Sequence, residues 1–314
     1  MNKKDLNELS IENIVFDYGC EGKEKGRLDS VNLYIEVSGV CGNGCRFCDQ
    51  VGVKKSDRFD VVEFERVYKE IEKRGMINRI SLTGGEPLLR VDNVDEVLRV
   101  IKCGRKYHDG RFRRELHVSM NTSGIELEKR IGLIKNVDIL DDVHISRHYY
   151  EDDVNEEIFR NKNVCGKEKI REINERGIYS LSCNLIGGYV DSVEKVKMYL
   201  DDGIRMGVKF VGFVGLMKKN EYCESRFVDM DELTTKLKFC EGFLYRGRKK
   251  KCSGGCKCEN YLYMNEEGEC EIYFRQPTWE ENRVEEKGVR GFVYTNDNKL
   301  VVNYGKGKRE EVKI

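Results

Sequence analysis

At 314 residues the chain can bury one large core, or a large core with a small appendage. Its 56 Lys and Arg balance 56 Asp and Glu, so bulk charge attracts no polyanion, and nucleic acid is not an expected partner. Charged residues make up 36% of the chain, no apolar run nears the ~18 residues of a membrane span, and residues 1–12 are too polar for a signal peptide, so a membrane-free, cytoplasmic protein is expected.

Residues 31–38, VNLYIEVS, alternate apolar and polar side chains with β-branched enrichment, which predicts a strand delivering a Gly- and Cys-rich loop. Val61, Phe64, Val67, Tyr68 and Ile71 fall on one helical face and predict a helix over 61–74. A strand over 79–82 then ends in Thr83-Gly84-Gly85. The rhythm continues with helices over 94–101, 127–134, 164–176 and 193–206, and strands over 116–121, 139–145, 179–186 and 208–214. Six strands separated by helices predict a parallel α/β sheet, because parallel neighbours need crossover connections. Periodicity leaves open whether this sheet is a Rossmann type or a partial barrel; either places functional residues past the C-terminal strand ends. Beyond 214 the rhythm fades into a helix over 230–245, a Cys-rich stretch and a β-like tail over 272–312. The organisation expected is a segment 1–30, a main unit 31–216 and an extension 217–314.

Thirteen cysteines in a reducing compartment point to metal or catalysis, and an odd number fits a complete disulfide framework poorly. Cys41, Cys45 and Cys48 stand within eight residues after the first strand, and Gly42 and Gly44 permit a tight wrap around a shared ligand. Three thiolates leave a four-iron cluster one ligand short, with one iron open to chemistry; a zinc site, which would call for four ligands, and structural thiols are the alternatives.

This Cx3Cx2C loop, with the aromatic Phe47 before its last Cys, resembles the signature of the radical S-adenosylmethionine (SAM) superfamily, and Thr83-Gly84-Gly85-Glu86-Pro87 resembles that family's second signature. The resemblance covers about 31–216 and implies a partial (β/α)6, TIM-like barrel with a small Cys-rich, β-containing C-terminal extension. It implies that Cys41, Cys45 and Cys48 ligate three irons of a [4Fe-4S] cluster, with SAM on the fourth and Phe47 beside the adenine. Gly84, Gly85, Glu86 and Pro87 would meet the SAM amino group, with Glu86 an acceptor or a buttress. Asn121 and Ser123, or Ser146 and Arg147, stand where the family binds ribose hydroxyls and the SAM carboxylate; loop stabilisation is the other reading of each. Asn184 to Gly188 loosely resembles the fifth-strand pattern, so Ile186 either backs the adenine or is an ordinary buried strand residue.

Downstream, Cys252, Cys256, Cys258 and Cys270 resemble the auxiliary-cluster "twitch" extension of radical SAM enzymes such as the molybdenum-cofactor GTP cyclase family. That family uses CxxC and ends in Gly-Gly, whereas this chain has Cx3CxC and ends Glu311-Val312-Lys313-Ile314, which argues against the GTP reaction. A second Fe-S cluster, a zinc ion and free thiols remain the readings of this group. The other cysteines are expected as small buried hydrophobes, with Cys183 a candidate hydrogen-atom donor if it faces inward. Residues 148–153 are a candidate cover for the substrate or a helix cap. The function implied is reductive cleavage of SAM to a 5′-deoxyadenosyl radical that abstracts hydrogen from a small molecule such as a nucleotide, sugar or natural-product intermediate. The electron would come from an external donor such as flavodoxin or ferredoxin. A peptide-modifying radical SAM maturase and a non-catalytic Fe-S or zinc-binding module are the alternatives.

Overall fold

The structure is a computed structural model that describes residues 4–5, 31–48, 57–73, 77–107, 116–174, 177–250, 259–277, 291–303 and 309–313. After the short β1 (Lys4–Asp5), the strands β2 (Val31–Ser38), β3 (Ile77–Gly84), β4 (His117–Thr122), β5 (Asp142–Ser146), β6 (Tyr179–Leu185) and β7 (Phe210–Gly215) realise the six expected strands. Helices α1 (Val61–Glu72), α2 (Val91–Tyr107), α3 (Leu127–Ile131), α5 (Lys167–Ile173) and α6 (Val193–Arg205) occupy the expected crossovers. Between β5 and α5 lies an additional helix, α4 (Asp152–Phe159), and after β7 come α7 (Glu221–Ser225) and α8 (Met230–Leu237).

Strands β2 to β7 lie side by side in sequence order, all parallel. A Rossmann sheet reverses its strand order at a switch point, and this order has none, so the sheet winds in one direction as a partial barrel does. One face of each strand packs with the helices: Ile80, Leu82, Val118, Met120, Val143, Ile145, Leu181, Val211 and Phe213 share a core with Phe64, Val97, Leu98 and Tyr199. The intervening residues form a polar inner face, among them Ser81, Ser119, Asn121, His144, Ser146, Ser182 and Asn184.

The helix expected over 230–245 ends at Leu237; Gly242, at φ +96°, turns the chain into β8 (Phe243–Lys250), whose Phe243, Leu244 and Tyr245 suit a strand. The remaining strands are β9 (Glu259–Asn265), β10 (Glu271–Gln276), β11 (Gly291–Tyr294), β12 (Leu300–Asn303) and β13 (Arg309–Lys313). They extend both edges of the sheet: β10 joins β7 in parallel and carries β9 and β8, while β11 joins β2 in parallel and carries β12 and β13. Among the described residues no helix is long and apolar enough to cross a membrane.

Candidate metal centre

The cysteine loop leaves β2 at Ser38 and is fastened from two sides. From β3, the Gly85 N–H donates to the Ser38 carbonyl and the Glu86 N–H to the Val40 carbonyl, each at 2.8 Å. This approach requires glycine. A Cβ on Gly85 would stand 2.1 Å from the Val40 oxygen, and Gly84, at φ +121°, would bring one within 2.4 Å of the Ser38 oxygen. From the other side, the Gly44 N–H donates to the Phe159 carbonyl at 2.8 Å, and the Asn161 amide donates to Asn43 Oδ1 at 2.9 Å. Asn220 donates to the Arg46 carbonyl at 3.3 Å, and the Arg46 guanidinium lies 5.8 Å from the Tyr222 ring. These contacts come from the end of α4 and from α7, neither of which is marked in the sequence by a long apolar period.

Within the loop Cys45 is buried, Cys48 half-buried and Cys41 exposed. Burial pushes the Cys41 thiol upward, and pushes Cys45 up to about 12, with the neighbouring Cys48 and Cys41 adding to the rise. The three thiols therefore sense one another, and a cation is what would stabilise them as thiolates. Among the described residues no three His, Cys, Asp or Glu side chains are gathered for a single metal ion. Three thiols on one short loop, with no fourth protein donor in it, are the donor set of a four-iron cluster that keeps one iron open.

Glu86 is 1% exposed, and its carboxylate is fully used. Oε1 accepts from the Leu88 N–H and the Thr122 hydroxyl, and Oε2 from the Ser123 N–H and hydroxyl. It ties the end of β3 to the end of β4, which makes it a buttress, and Ser123 is committed to it. Pro87 is buried at the start of the 3-10 turn Pro87–Arg90. Asn121 donates to Ser81 Oγ at 2.7 Å on the inner face, where Ser146 also lies beside Ser182.

Arg147, 1% exposed, turns to the helix side. It donates to the Tyr150 carbonyl and pairs with Asp152 at 2.5 Å, which itself accepts from the Lys167 N–H at the start of α5. Arg147 and Asp152 thus clamp the segment after β5, and Tyr149 and Tyr150 stack within it at 4.2 Å.

His148, expected only as part of a covering segment, is buried between two aromatic rings. It stacks on Phe159 at 4.8 Å and meets Phe47 edge-on at 4.9 Å. Its Nδ1 accepts from the Asn184 N–H at 3.0 Å, so the neutral ring carries its proton on Nε2, and burial holds its pKa down at about 3. Ile186 is buried beside Leu216 and Cys223, with Phe47 packed on that cluster.

Two cysteines stand away from this site. Cys183 is buried in the helix-side core, on the opposite face of β6 from Ser182 and Asn184, because strand side chains alternate. It is not the inward-facing thiol that hydrogen-atom donation would need. Cys252, Cys256 and Cys258 lie outside the described residues, but the strands bounding them fix where Cys270 stands. Glu259 opens β9 opposite Gln276, whereas Cys270 immediately precedes Glu271, which pairs with Met264. Five residues of strand, roughly 17 Å at ~3.4 Å each, separate the two ends. Cys270 is buried in the core, at the end of β9 away from Glu259, with its thiol pushed up to about 12 by burial.

A family profile described as the Radical SAM superfamily matches residues 35–203. The probable GTP 3′,8-cyclase of Thermoplasma volcanium is 33% identical over 161 residues, which is 50% of this chain and 45% of that protein. The GTP 3′,8-cyclase of Alkaliphilus oremlandii is 25% identical over 213 residues, 66% of this chain and 63% of its own length. The chain thus spans from under half to under two thirds of these relatives. The crystal structure of Streptococcus suis SuiB bound to S-adenosylmethionine is similar in fold, with a TM-score of 0.56 at 13% identity, covering 86% of this chain and 59% of that one.

Proposed function

Because the chain belongs to the radical SAM superfamily, whose members use a [4Fe-4S] cluster and SAM, we propose that it is an enzyme that removes a hydrogen atom from a small-molecule substrate. The observation that carries the reading is the docking of the Gly84-Gly85-Glu86 backbone onto the loop bearing Cys41, Cys45 and Cys48. When bound, the cluster and SAM supply an electron and a 5′-deoxyadenosyl radical. The chain's own residues do the holding: Cys41, Cys45 and Cys48 would bind three irons, and the glycines at 84 and 85 let the backbone after β3 lie directly against the loop that carries them. Phe47, fixed edge-on against His148, offers a face for the adenine. Glu86 holds the two strand ends together from beneath. Hydroxyl and amide groups on the inner strand faces suit a polar substrate, and an external donor such as flavodoxin or ferredoxin would deliver the electron. The names of the GTP 3′,8-cyclases support a small molecule over a peptide, while the Cx3CxC spacing argues against GTP itself.

A second Fe-S cluster is part of the proposal, with Cys252, Cys256 and Cys258 as its ligands and Cys270 left out. Their connection starts and ends at Lys250 and Glu259, which pair with each other. Glu259 in turn pairs with Gln276, at the C-terminal end of a strand parallel to β7, the same end as the cysteine loop.

Anaerobic reconstitution with iron and sulfide, reduction, and assay of 5′-deoxyadenosine from SAM test the reading. Cys41→Ala, Cys45→Ala and Cys48→Ala are each expected to abolish the product. Undiminished cleavage in any one removes that thiol from the ligand set, and none from the parent protein refutes the enzyme.

A further inference from the structure

The segments that hold the cysteine loop on the side opposite β3 carry cations. The Gly44 N–H donates to the Phe159 carbonyl, and Arg160, the next residue, lies along the loop: a Cβ on Gly44 would stand 3.0 Å from Arg160 Cδ. Asn161 then bonds Asn43, and Lys162 follows it at the surface. From α7 the Asn220 amide reaches the Arg46 carbonyl, with Lys218 two residues before it. Arg46, Arg160, Lys162 and Lys218 are all exposed, and none has a carboxylate in ion-pair range among the described residues. The carboxylates on the same segments, Glu156, Glu157, Glu221 and Glu224, do not pair with them, and Glu157 instead accepts from the Tyr189 hydroxyl at 3.4 Å. Cations on helices away from the loop are paired, as Arg130 is with Glu126 and Arg171 with Glu168. On a chain of zero net charge, unpaired cations thus gather around the loop that carries the exposed Cys41.

Arg160 adds a second observation. It ends α4 at φ +53°, in the left-handed region where glycine is the usual occupant and a side chain is strained. Local backbone preference therefore works against arginine here, and what the residue contributes is its charge and the stem laid along Gly44.

We propose that this face docks an acidic one-electron carrier protein that reduces the cluster. The proposal rests on the radical SAM reading of the loop. One electron leaves the reduced carrier, which is oxidised by one electron, and enters the cluster, which is reduced by one; no bond is made or broken. Electron transfer between proteins falls off steeply with distance, so the carrier must seat where the thiol loop meets the surface. Cations there draw in and orient an acidic partner.

Stopped-flow mixing of reduced flavodoxin, an acidic carrier, with the anaerobically reconstituted full chain tests this, and calorimetry with oxidised flavodoxin reads binding without turnover. Reduction of the cluster is expected to be fastest at low ionic strength and to slow steeply as salt is added. Arg160→Gly, which suits the left-handed backbone, combined with Lys162→Glu should slow reduction and weaken binding about ten-fold or more at low salt. The salt dependence should flatten with it. Iron content, thermal midpoint and dithionite-driven 5′-deoxyadenosine formation should stay at parent values, because a small reductant needs no docking face. If the double variant loses iron, Lys162→Glu alone carries the test. The proposal is overturned if the variant takes electrons from flavodoxin as fast as the parent, or if salt has no effect. It is equally overturned if flavodoxin fails to reduce a parent cluster that dithionite reduces. A reducible parent cluster that forms no 5′-deoxyadenosine from SAM instead refutes the superfamily reading, and docking is still scored from the cluster and the calorimeter.

Discussion

Replacing Glu86 with alanine is expected to destabilise the protein by about 4 kcal/mol and to impair SAM cleavage. The four donors on its carboxylate are two hydroxyls, of Thr122 and Ser123, and two backbone N–H groups, of Leu88 and Ser123. The hydroxyls can rotate to other acceptors, whereas the N–H groups are fixed. Each buried N–H left unpaired costs about 1–3 kcal/mol, so the two account for about 2–6 kcal/mol between them. Glu86→Gln keeps the shape but turns an amide NH2 toward donors on one side, for a loss of about 2 kcal/mol. The effect on catalysis follows from position, since the Glu86 N–H also holds the Val40 carbonyl one residue before Cys41. Urea unfolding of the cluster-free protein gives the stability, and the 5′-deoxyadenosine assay gives the activity. An Ala variant within about 1 kcal/mol of the parent would refute the buttress, because at least one unpaired N–H should exceed that.

Gly85→Ala should prevent iron loading, because its Cβ collides with the Val40 carbonyl at 2.1 Å; normal iron content would show that the cysteine loop tolerates displacement. His148 is buried neutral with its pKa near 3, below the ordinary imidazole value, so the unfolded chain binds its proton first as pH falls. Its contribution to stability is therefore complete above about pH 6.5 and is lost progressively between there and about 3, and His148→Phe should flatten that part of the pH profile of cluster-free protein. Cys270→Ala should leave the iron content unchanged at a cost of about 1–2 kcal/mol, whereas Cys258→Ala should lower it; iron loss in the Cys270 variant would place that thiol among the ligands.

Much of the catalytic half was legible in the chain. The βα rhythm gave six parallel strands, because alternating apolar residues and helical faces are local signals, and the Cx3Cx2C and GGEP segments stood where those strands end. Several functional details were not legible. The end of α4 and all of α7 hold the cysteine loop, yet both helices are short and the hydrogen bonds that make them matter run over more than 100 residues of sequence. Arg147 directly follows β5 and Cys183 lies within β6, and only alternation along the placed strands turned their side chains to the helix side. Cys270 lies near Cys258 in the sequence, but the β9 hairpin carries the chain away before it returns.

What the sequence by itself determined is the donor chemistry: thiol spacing, glycines where backbone must approach backbone, and strands to present them, all set by nearest neighbours along the chain. What only the tertiary structure decided is which donors meet. Strand order selected the barrel over the Rossmann sheet, and the pairing of β9 with β10 set Cys270 at the opposite end of β9 from Glu259. Long-range pairings of this kind depend on where whole strands lie, and no local pattern encodes that.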